Sequence, residues 1–275
     1  MSNISNQAYV HPEAKLGENV TIEPFAFIDK NTEVGDGTIV MSGANVRNGA
    51  RVGSNCRIFP GAVVGGIPQD LKFRGEESLA IVGNNTTIRE CVTINRGTAS
   101  KGYTKVGNNC LLMAYSHVAH DCVLNDNIIL GNATQLAGEV EVEHHAILSG
   151  GTLVHQFTRI GAHAMIQGGT RLGKDIPPYI IAGREPVCFS GVNLVGLRRH
   201  AYSNEKINEI QEIYRVIYQS GFNFSDAINK IESEFEETPE MRLIVDFVKR
   251  SRSSGLAVLA AFKDIVSKFA NTPAF

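Results

Sequence analysis

The sequence predicts a mostly β fold: a parallel β-helix of hexapeptide repeats, followed by a small C-terminal helical domain. Three observations predict it. First, aliphatic residues recur every sixth position, from Val10 through Leu16, Ile22, Ile28, Val34, Val40, Val46, Val52 and Ile58 to Val64, and again from Val106 to Leu172. Second, a small or β-branched residue follows four places later, as in Ala14, Val20, Ala26, Thr32, Thr38, Ala44, Ala50, Cys56 and Ala62. A period of six fits neither a helix nor a plain strand, and short strands of this kind bury their aliphatic residue only by stacking on their neighbours. Third, the spacing changes to three and four after Leu197, which is the mark of amphipathic helices.

The repeat resembles the class of β-helix in which three hexads make one triangular coil of 18 residues. Counting from 10 to 177 gives 28 hexads, or about nine coils, stacked roughly 4.8 Å apart. In that class the coils run left-handed, against the usual right-handed crossover. The pattern fails twice, and each failure keeps phase. Val64 to Val82 spans 18 residues, but Asp70 and Glu76 stand where aliphatic residues belong, so Gln69–Glu77 should leave the prism as a loop. Ser100–Lys105 should form a second excursion. Loops on a rigid scaffold are where function concentrates, although a tolerated insertion is the alternative.

Two adjacent prolines, Pro177 and Pro178, should end the strand pairing. Residues 181–197 then read as a linker between a β-helix domain of residues 1–180 and a helical domain of residues 198–275. In the latter, Ile207, Ile210, Ile213 and Ile217 share a helix face behind a cap at Ser203 or Asn204, and Gly221 closes that helix. Ser225 should cap a second helix, Pro239 suits the first turn of a third, and Leu256–Ala270 reads as a fourth.

Composition narrows the function. With 26 basic against 28 acidic residues, the chain has no charge excess suited to nucleic acid or a membrane surface. No apolar run approaches the ~20 residues of a membrane span, and the polar Met1–Val10 segment does not read as a signal peptide. Cys56, Cys110 and Cys122 occupy the small-residue slot, so they read as reduced core residues of a cytoplasmic protein. Open prisms leave flat faces uncovered, and a homotrimer, the habit of hexapeptide proteins, would cover them.

The chemistry gathers where the histidines do. His117, His120, His144, His145, His155 and His163 fall within 47 residues. In the run His117-Val118-Ala119-His120-Asp121-Cys122, Val118 points inward and His120 sits near a corner beside a carboxylate. A carboxylate fixes the tautomer of an imidazole and stabilises its cation, which suits a general base. Stacking by 18 places Gly138 and Gln156 in the column of His120, and the glycine should leave open space over the ring for a substrate.

Several strings together carry a more specific signal. Ile67-Pro68-Gln69-Asp70-Leu71-Lys72-Phe73, Ile88-Arg89-Glu90, Arg96-Gly97-Thr98, His117–Cys122, Leu136-Ala137-Gly138, Val154-His155-Gln156-Phe157, Asp175–Tyr179, Gly191-Val192-Asn193 and Gly196-Leu197-Arg198-Arg199 resemble the UDP-N-acetylglucosamine O-acyltransferases. The likeness spans essentially the whole chain. It implies transfer of an (R)-3-hydroxyacyl chain from acyl carrier protein to the sugar 3-hydroxyl, the first step of lipid A synthesis, with no cofactor and no metal. It implies that His120 is the base, that Asp121 orients it, and that the backbone N–H of Gly138 is the oxyanion donor. It implies that Asp70, Lys72, His117, His155, Gln156, Asn193 and Arg199 hold the nucleotide sugar, and that Gly168 admits a long acyl chain.

The chain departs from the family pattern at four positions. Asn95 and Glu139 stand where better-known members have histidine, Val195 where they have glutamate and His200 where they have arginine. Three other readings remain open from the residues alone. One is the N-acyltransferase of the same pathway, which normally carries an extra N-terminal domain. Another is a zinc hydratase using His117, His120 and His145, and the last is a non-catalytic trimeric scaffold.

Overall fold

The computed structural model describes residues 2–251. Its main body is a left-handed parallel β-helix with three sheets, each taking every third strand of the chain. The first sheet begins at Asn3–Ile4, the second at Tyr9–Val10 and the third at Lys15–Leu16, so successive strands walk round a triangular prism. The inward residue of each short strand is the repeat aliphatic: Ile22, Val40, Ile58, Ile88, Leu112, Leu130, Leu148 and Ile166 stack down the first sheet, all buried. Burying such a side chain contributes about 1.5–3 kcal/mol, so the core is a sum of nearly equal layers. Cys56, Cys110 and Cys122 lie within it as free thiols.

From residue 19 onward the regular corners carry a residue in the left-handed region, which asparagine tolerates better than most. At the corner from the third sheet to the first this column runs Asn19, Gly37, Asn55, Asn85, Asn109, Asn127 and then His145 and His163, all at positive φ.

Both excursions are present, with boundaries that differ from expectation. The first fills residues 67–78 between strands Val63–Gly66 and Leu79–Val82. Val64 pairs with Ile94 in the second sheet while Val82 pairs with Val106 in the third, so they occupy consecutive sides and not the same side one coil on. The second occupies residues 96–102, because Tyr103–Val106 has already returned to the prism and pairs with Leu79–Val82. Register records both insertions: Arg57 pairs with Thr87, thirty residues on, and Thr93 with His117, twenty-four on, where an uninterrupted coil gives eighteen. Insertions of twelve and six residues are whole multiples of the repeat, so phase alone could not show them, and the count of 28 hexads included them.

The prolines do not end the pairing. Ile180–Gly183 adds one more parallel strand to the first sheet, Met165 opposite Ile181, and Cys188–Val192 folds back antiparallel on it. The stretch 181–197, expected as a linker, is therefore mostly a hairpin. Pro177 and Pro178 fall in the connection before the strand, where no ladder hydrogen bond is required of them.

Among the described residues four helices follow: α1 (Leu194–Arg199), α2 (Asn204–Gln219), α3 (Phe224–Glu234) and α4 (Pro239–Arg250). Ser203 caps α2 as expected, and Gly221 follows its end at positive φ. The cap of α3 is Asn223 and not Ser225; the Asn223 side chain accepts from the Asp226 N–H, which starts the helix two residues earlier. Pro239 opens α4 behind Thr238. The helices seat on the prism through the Tyr214 hydroxyl, which donates to the Pro178 carbonyl at 2.5 Å, and through the Arg159 guanidinium, 4.4 Å from the Phe247 ring centroid. The expected helix over Leu256–Ala270 lies outside the described residues. Among the described residues, no helix is long and apolar enough to cross a membrane.

Candidate active site

The edge where the second sheet turns into the third carries Ala119-His120-Asp121 at one level, Ala137-Gly138-Glu139 at the next and His155-Gln156-Phe157 above. Asp121 adopts φ +60°, as do Glu139 and Phe157 near that value, and its side chain is fully buried. Its carboxylate Oδ2 lies 2.8 Å from His120 Nδ1. The same oxygen accepts from the Thr98 hydroxyl at 2.6 Å, and Oδ1 accepts the backbone N–H groups of Thr98 at 2.9 Å and Lys101 at 3.2 Å. Burial pushes the acidity of Asp121 toward the neutral form, but the donors from Thr98, His120 and Lys101 outweigh it and hold the carboxyl below the usual aspartate range. Asp121 is thus an anion that only accepts, so His120 carries its proton on Nδ1 and presents a lone pair at Nε2.

The space beside Gly138 is filled, where open room for a substrate is expected. The imidazole itself fills the space: a Cβ at position 138 would lie 2.5 Å from both Cε1 and Nε2 of His120. The glycine makes room for the ring, which is held by Asp121 on one side. Among the described residues, no protein group accepts the Gly138 N–H.

The two excursions brace one another over this edge. Ala99 N–H donates to Glu76 Oε1, and the Arg96 guanidinium lies 5.3 Å from the Phe73 ring centroid. The first excursion then delivers Asp70, whose Oδ2 is 3.9 Å from His120 Nε2. Asp70 Oδ1 accepts the Lys72 N–H in a tight turn, leaving the Lys72 side chain exposed and, among the described residues, without an ion pair. His117 faces outward from the neighbouring strand, its Nδ1 2.7 Å from the Thr93 hydroxyl, and burial lowers its basicity below the histidine norm. His117 and His155 line one groove of about 460 Å³ along the second sheet, with Gln135, Leu153 and Arg171 as its floor. Gln156 is exposed on the corner above Gly138.

The remaining candidates lie elsewhere. Asn193 sits at the edge between the third and first sheets, where its Nδ2 donates to the His163 carbonyl at 2.9 Å and its Oδ1 caps α1 by accepting from Gly196. Both ends of its amide are engaged, and Gly196 lacks the side chain that would collide with them. Arg199, on α1, is exposed and unpaired among the described residues. Gly168 is exposed at the third edge, where a Cβ would lie 3.2 Å from the Gly150 carbonyl oxygen, and it does not line the groove.

The histidines therefore divide. His117, His120 and His155 flank one edge, while His144, His145 and His163 gather at another with His200, the His145 and His200 rings 4.4 Å apart. This separation puts His145 away from His117 and His120 in one chain, and among the described residues no group of three or more metal-ligating side chains is arranged to hold an ion. At the departures, Glu139 accepts from the Ser100 hydroxyl at 2.9 Å, Val195 is exposed, and Asn95 is buried with its Oδ1 unpartnered. Spacing does not single out Thr98 and Lys101 as partners of Asp121, because the insertion removes them from the column arithmetic; the Arg96-Gly97-Thr98 string is the signal for Thr98 and the Ser100–Lys105 excursion that for Lys101.

Comparison with known proteins gives a consistent picture. A family model described as UDP-N-acetylglucosamine O-acyltransferase, domain 2, matches residues 175–257, and one for the bacterial transferase hexapeptide matches residues 103–138. An acyl-[acyl-carrier-protein]–UDP-N-acetylglucosamine O-acyltransferase of Thermodesulfovibrio yellowstonii is 37% identical over 253 residues, 92% of this chain and 98% of that protein. A UDP-N-acetylglucosamine acyltransferase crystal structure from Bacteroides fragilis is 56% identical with TM-score 0.90, covering 92% of this chain and 98% of the other. The corresponding structure from Francisella novicida is 36% identical with TM-score 0.92, each chain covered to 99%.

Proposed function

The chain belongs to the UDP-N-acetylglucosamine O-acyltransferases, and from that premise we propose that His120 is the general base of its acyl transfer. The enzyme is an acyltransferase that uses acyl carrier protein as donor and UDP-N-acetylglucosamine as acceptor, at the first step of lipid A biosynthesis. The observation that carries the mechanism is the 2.8 Å contact between His120 Nδ1 and the buried, fully hydrogen-bonded Asp121.

His120 Nε2 takes the proton of the sugar 3-hydroxyl as its oxygen attacks the thioester carbonyl of an (R)-3-hydroxyacyl chain. The oxyanion formed is met by the Gly138 N–H, a donor with no other partner among the described residues. Collapse expels the carrier thiolate, which recovers the proton from His120. Asp121 keeps the imidazolium oriented throughout. No covalent acyl-enzyme is required, in keeping with the cysteines: burial pushes the Cys110 thiol up to about 11 and the Cys122 thiol up to about 12, far from a nucleophilic thiolate.

Asp70, Lys72, His117, His155 and Gln156 surround the base and hold the nucleotide sugar, with the unpaired lysine suited to its phosphates. Arg199 supplies a further cation from helix α1, and Asn193 fixes the start of that helix. Because these two lie on another edge of the prism, the site is completed when that edge of a second copy meets the His120 edge, which favours a homotrimer. The acyl chain follows the groove beside His117 and passes Gly168. The enzyme works in the cytoplasm. The test is direct: purified protein, 3-hydroxyacyl carrier protein and UDP-N-acetylglucosamine should yield the 3-O-acylated nucleotide sugar without added metal, and failure with every chain length would refute the assignment.

A further inference from the structure

We infer that Thr98, carried on the second excursion, is a positioning residue for the acyl transfer, acting through Asp121 on the His120 ring; this rests on the proposed role of His120. Thr98 is the only described residue that bonds both oxygens of the buried carboxylate, with its N–H on Oδ1 and its hydroxyl on the Oδ2 that also meets the imidazole. Both partners are almost wholly shielded from water, Asp121 at 0% and Thr98 at 7% exposure. A charge-assisted contact at 2.6 Å in such a place fixes the plane of the carboxylate, and therefore the direction in which His120 points.

The loop around Thr98 has anchors besides Asp121. Arg96 N–H donates to the Gly66 carbonyl, Gly97 N–H to Leu79 and Gly102 N–H to Thr98 itself. Gly97 lies so close to the returning strand that a Cβ would fall 2.3 Å from the Tyr103 nitrogen. The Ser100 hydroxyl reaches Glu139, the residue that replaces the family histidine. Lys101 closes the clamp, its Nζ donating to the Asp121 carbonyl at 3.1 Å and lying 3.6 Å from Glu141. Thr104 completes it by accepting the Asp121 N–H at 2.8 Å. A six-residue insertion with this many fixed points is a built support and not merely a tolerated loop.

The consequence is specific. Without the Thr98 hydroxyl, Asp121 loses one of the donors that keep it ionised, while the charges around it are unchanged: His120, Asp70 across the ring, Lys101, Glu139 and Glu141. Protonation of Asp121 then sets in at higher pH, and His120 loses the acceptor that selects its tautomer.

The test compares Thr98→Val, Thr98→Ser and His120→Ala with wild type in kcat, KM for UDP-N-acetylglucosamine, melting temperature and the pH profile of kcat. Thr98→Val should lower kcat about tenfold or more with KM within about twofold, and shift the acid limb of the profile upward. Thr98→Ser, which keeps the donor, should restore both. Thr98→Ala gives the same reading should the valine disturb the loop. A kcat within about twofold of wild type with an unmoved acid limb in both donor-less variants overturns the inference. An active His120→Ala would instead refute the general-base reading, whereas an inactive His120→Ala beside a normal Thr98→Val removes the Thr98 inference alone.

Discussion

The imidazole of His120 occupies the volume that any side chain at position 138 would need, its Cε1 and Nε2 both 2.5 Å from where a Cβ of Gly138 would stand. Asp121 holds the other side of the ring, so it has nowhere to retreat without breaking the 2.8 Å contact. Gly138 is not among the positive-φ residues, so alanine is acceptable to the backbone. Gly138→Ala should therefore fold with a near-normal melting temperature and lose roughly 10²-fold or more in kcat, the usual effect of removing a positioned base. Activity close to wild type would show that the ring can serve from another position.

Arg199 and His120 lie on different edges of one chain, and the account joins them only across a subunit boundary. Arg199→Ala should raise KM for the nucleotide sugar about tenfold or more with little change in kcat, since a charge-assisted contact is worth roughly 1.5–3 kcal/mol. Mixing unfolded His120→Ala and Arg199→Ala chains and refolding them together should recover about a quarter of the sites at low sugar concentration, because only one of four pairings at a boundary carries both residues. No recovery, with trimers formed, would place the two residues in one chain's site or in none.

Gly168→Met should move donor preference toward shorter chains and leave the sugar KM unchanged. Each buried CH₂ contributes ~0.8 kcal/mol, so excluding three or four of them removes most of the advantage of a long chain. The check is kcat/KM over a ladder of 3-hydroxyacyl carrier proteins; an unchanged profile would mean that the acyl chain does not pass this edge.

His163 predicts acid lability. Burial, reinforced by His145, His144 and His200, pushes its pKa down to about 3, with the side chain 5% exposed. The unfolded chain takes up a proton near the ordinary histidine value of about 6.5 while the folded chain does not, so folding loses stability as pH falls below that value. The slope is about 1.4 kcal/mol per pH unit, continuing toward the folded pKa. Melting temperature should drop between pH 7 and pH 5, and His163→Gln should flatten that drop. An equal drop in the variant would assign the effect to other groups.

Much of this was legible in the residues because a solenoid repeats its geometry. The hexad columns placed Val118, Leu136 and Val154 in the core and Gly138 beside His120, and all four stand there. What the columns could not show was anything crossing an insertion. Thr98 lies twenty-three residues from Asp121 and binds it through a loop of six extra residues, an offset that periodicity conceals. Gly138 was placed correctly but misread, because spacing shows that two residues are neighbours and not which one fills the gap. The division of the histidines between two edges follows from the same columns: all six stand after both insertions, and steps of 18 residues keep His144, His145 and His163 off the corner that carries His120. The hairpin of Ile180–Val192 was hidden by Pro177 and Pro178, whose effect is confined to the connection before it.

The most direct test is the rate of acyl transfer by His120→Ala at saturating donor and acceptor. Val118 and Cys122 on either side remain buried in the core, so the variant should fold and assemble as the wild type does. The account predicts a loss of at least about two orders of magnitude in kcat, with binding of UDP-N-acetylglucosamine retained. A variant that folds normally and turns over within a few-fold of wild type would contradict it.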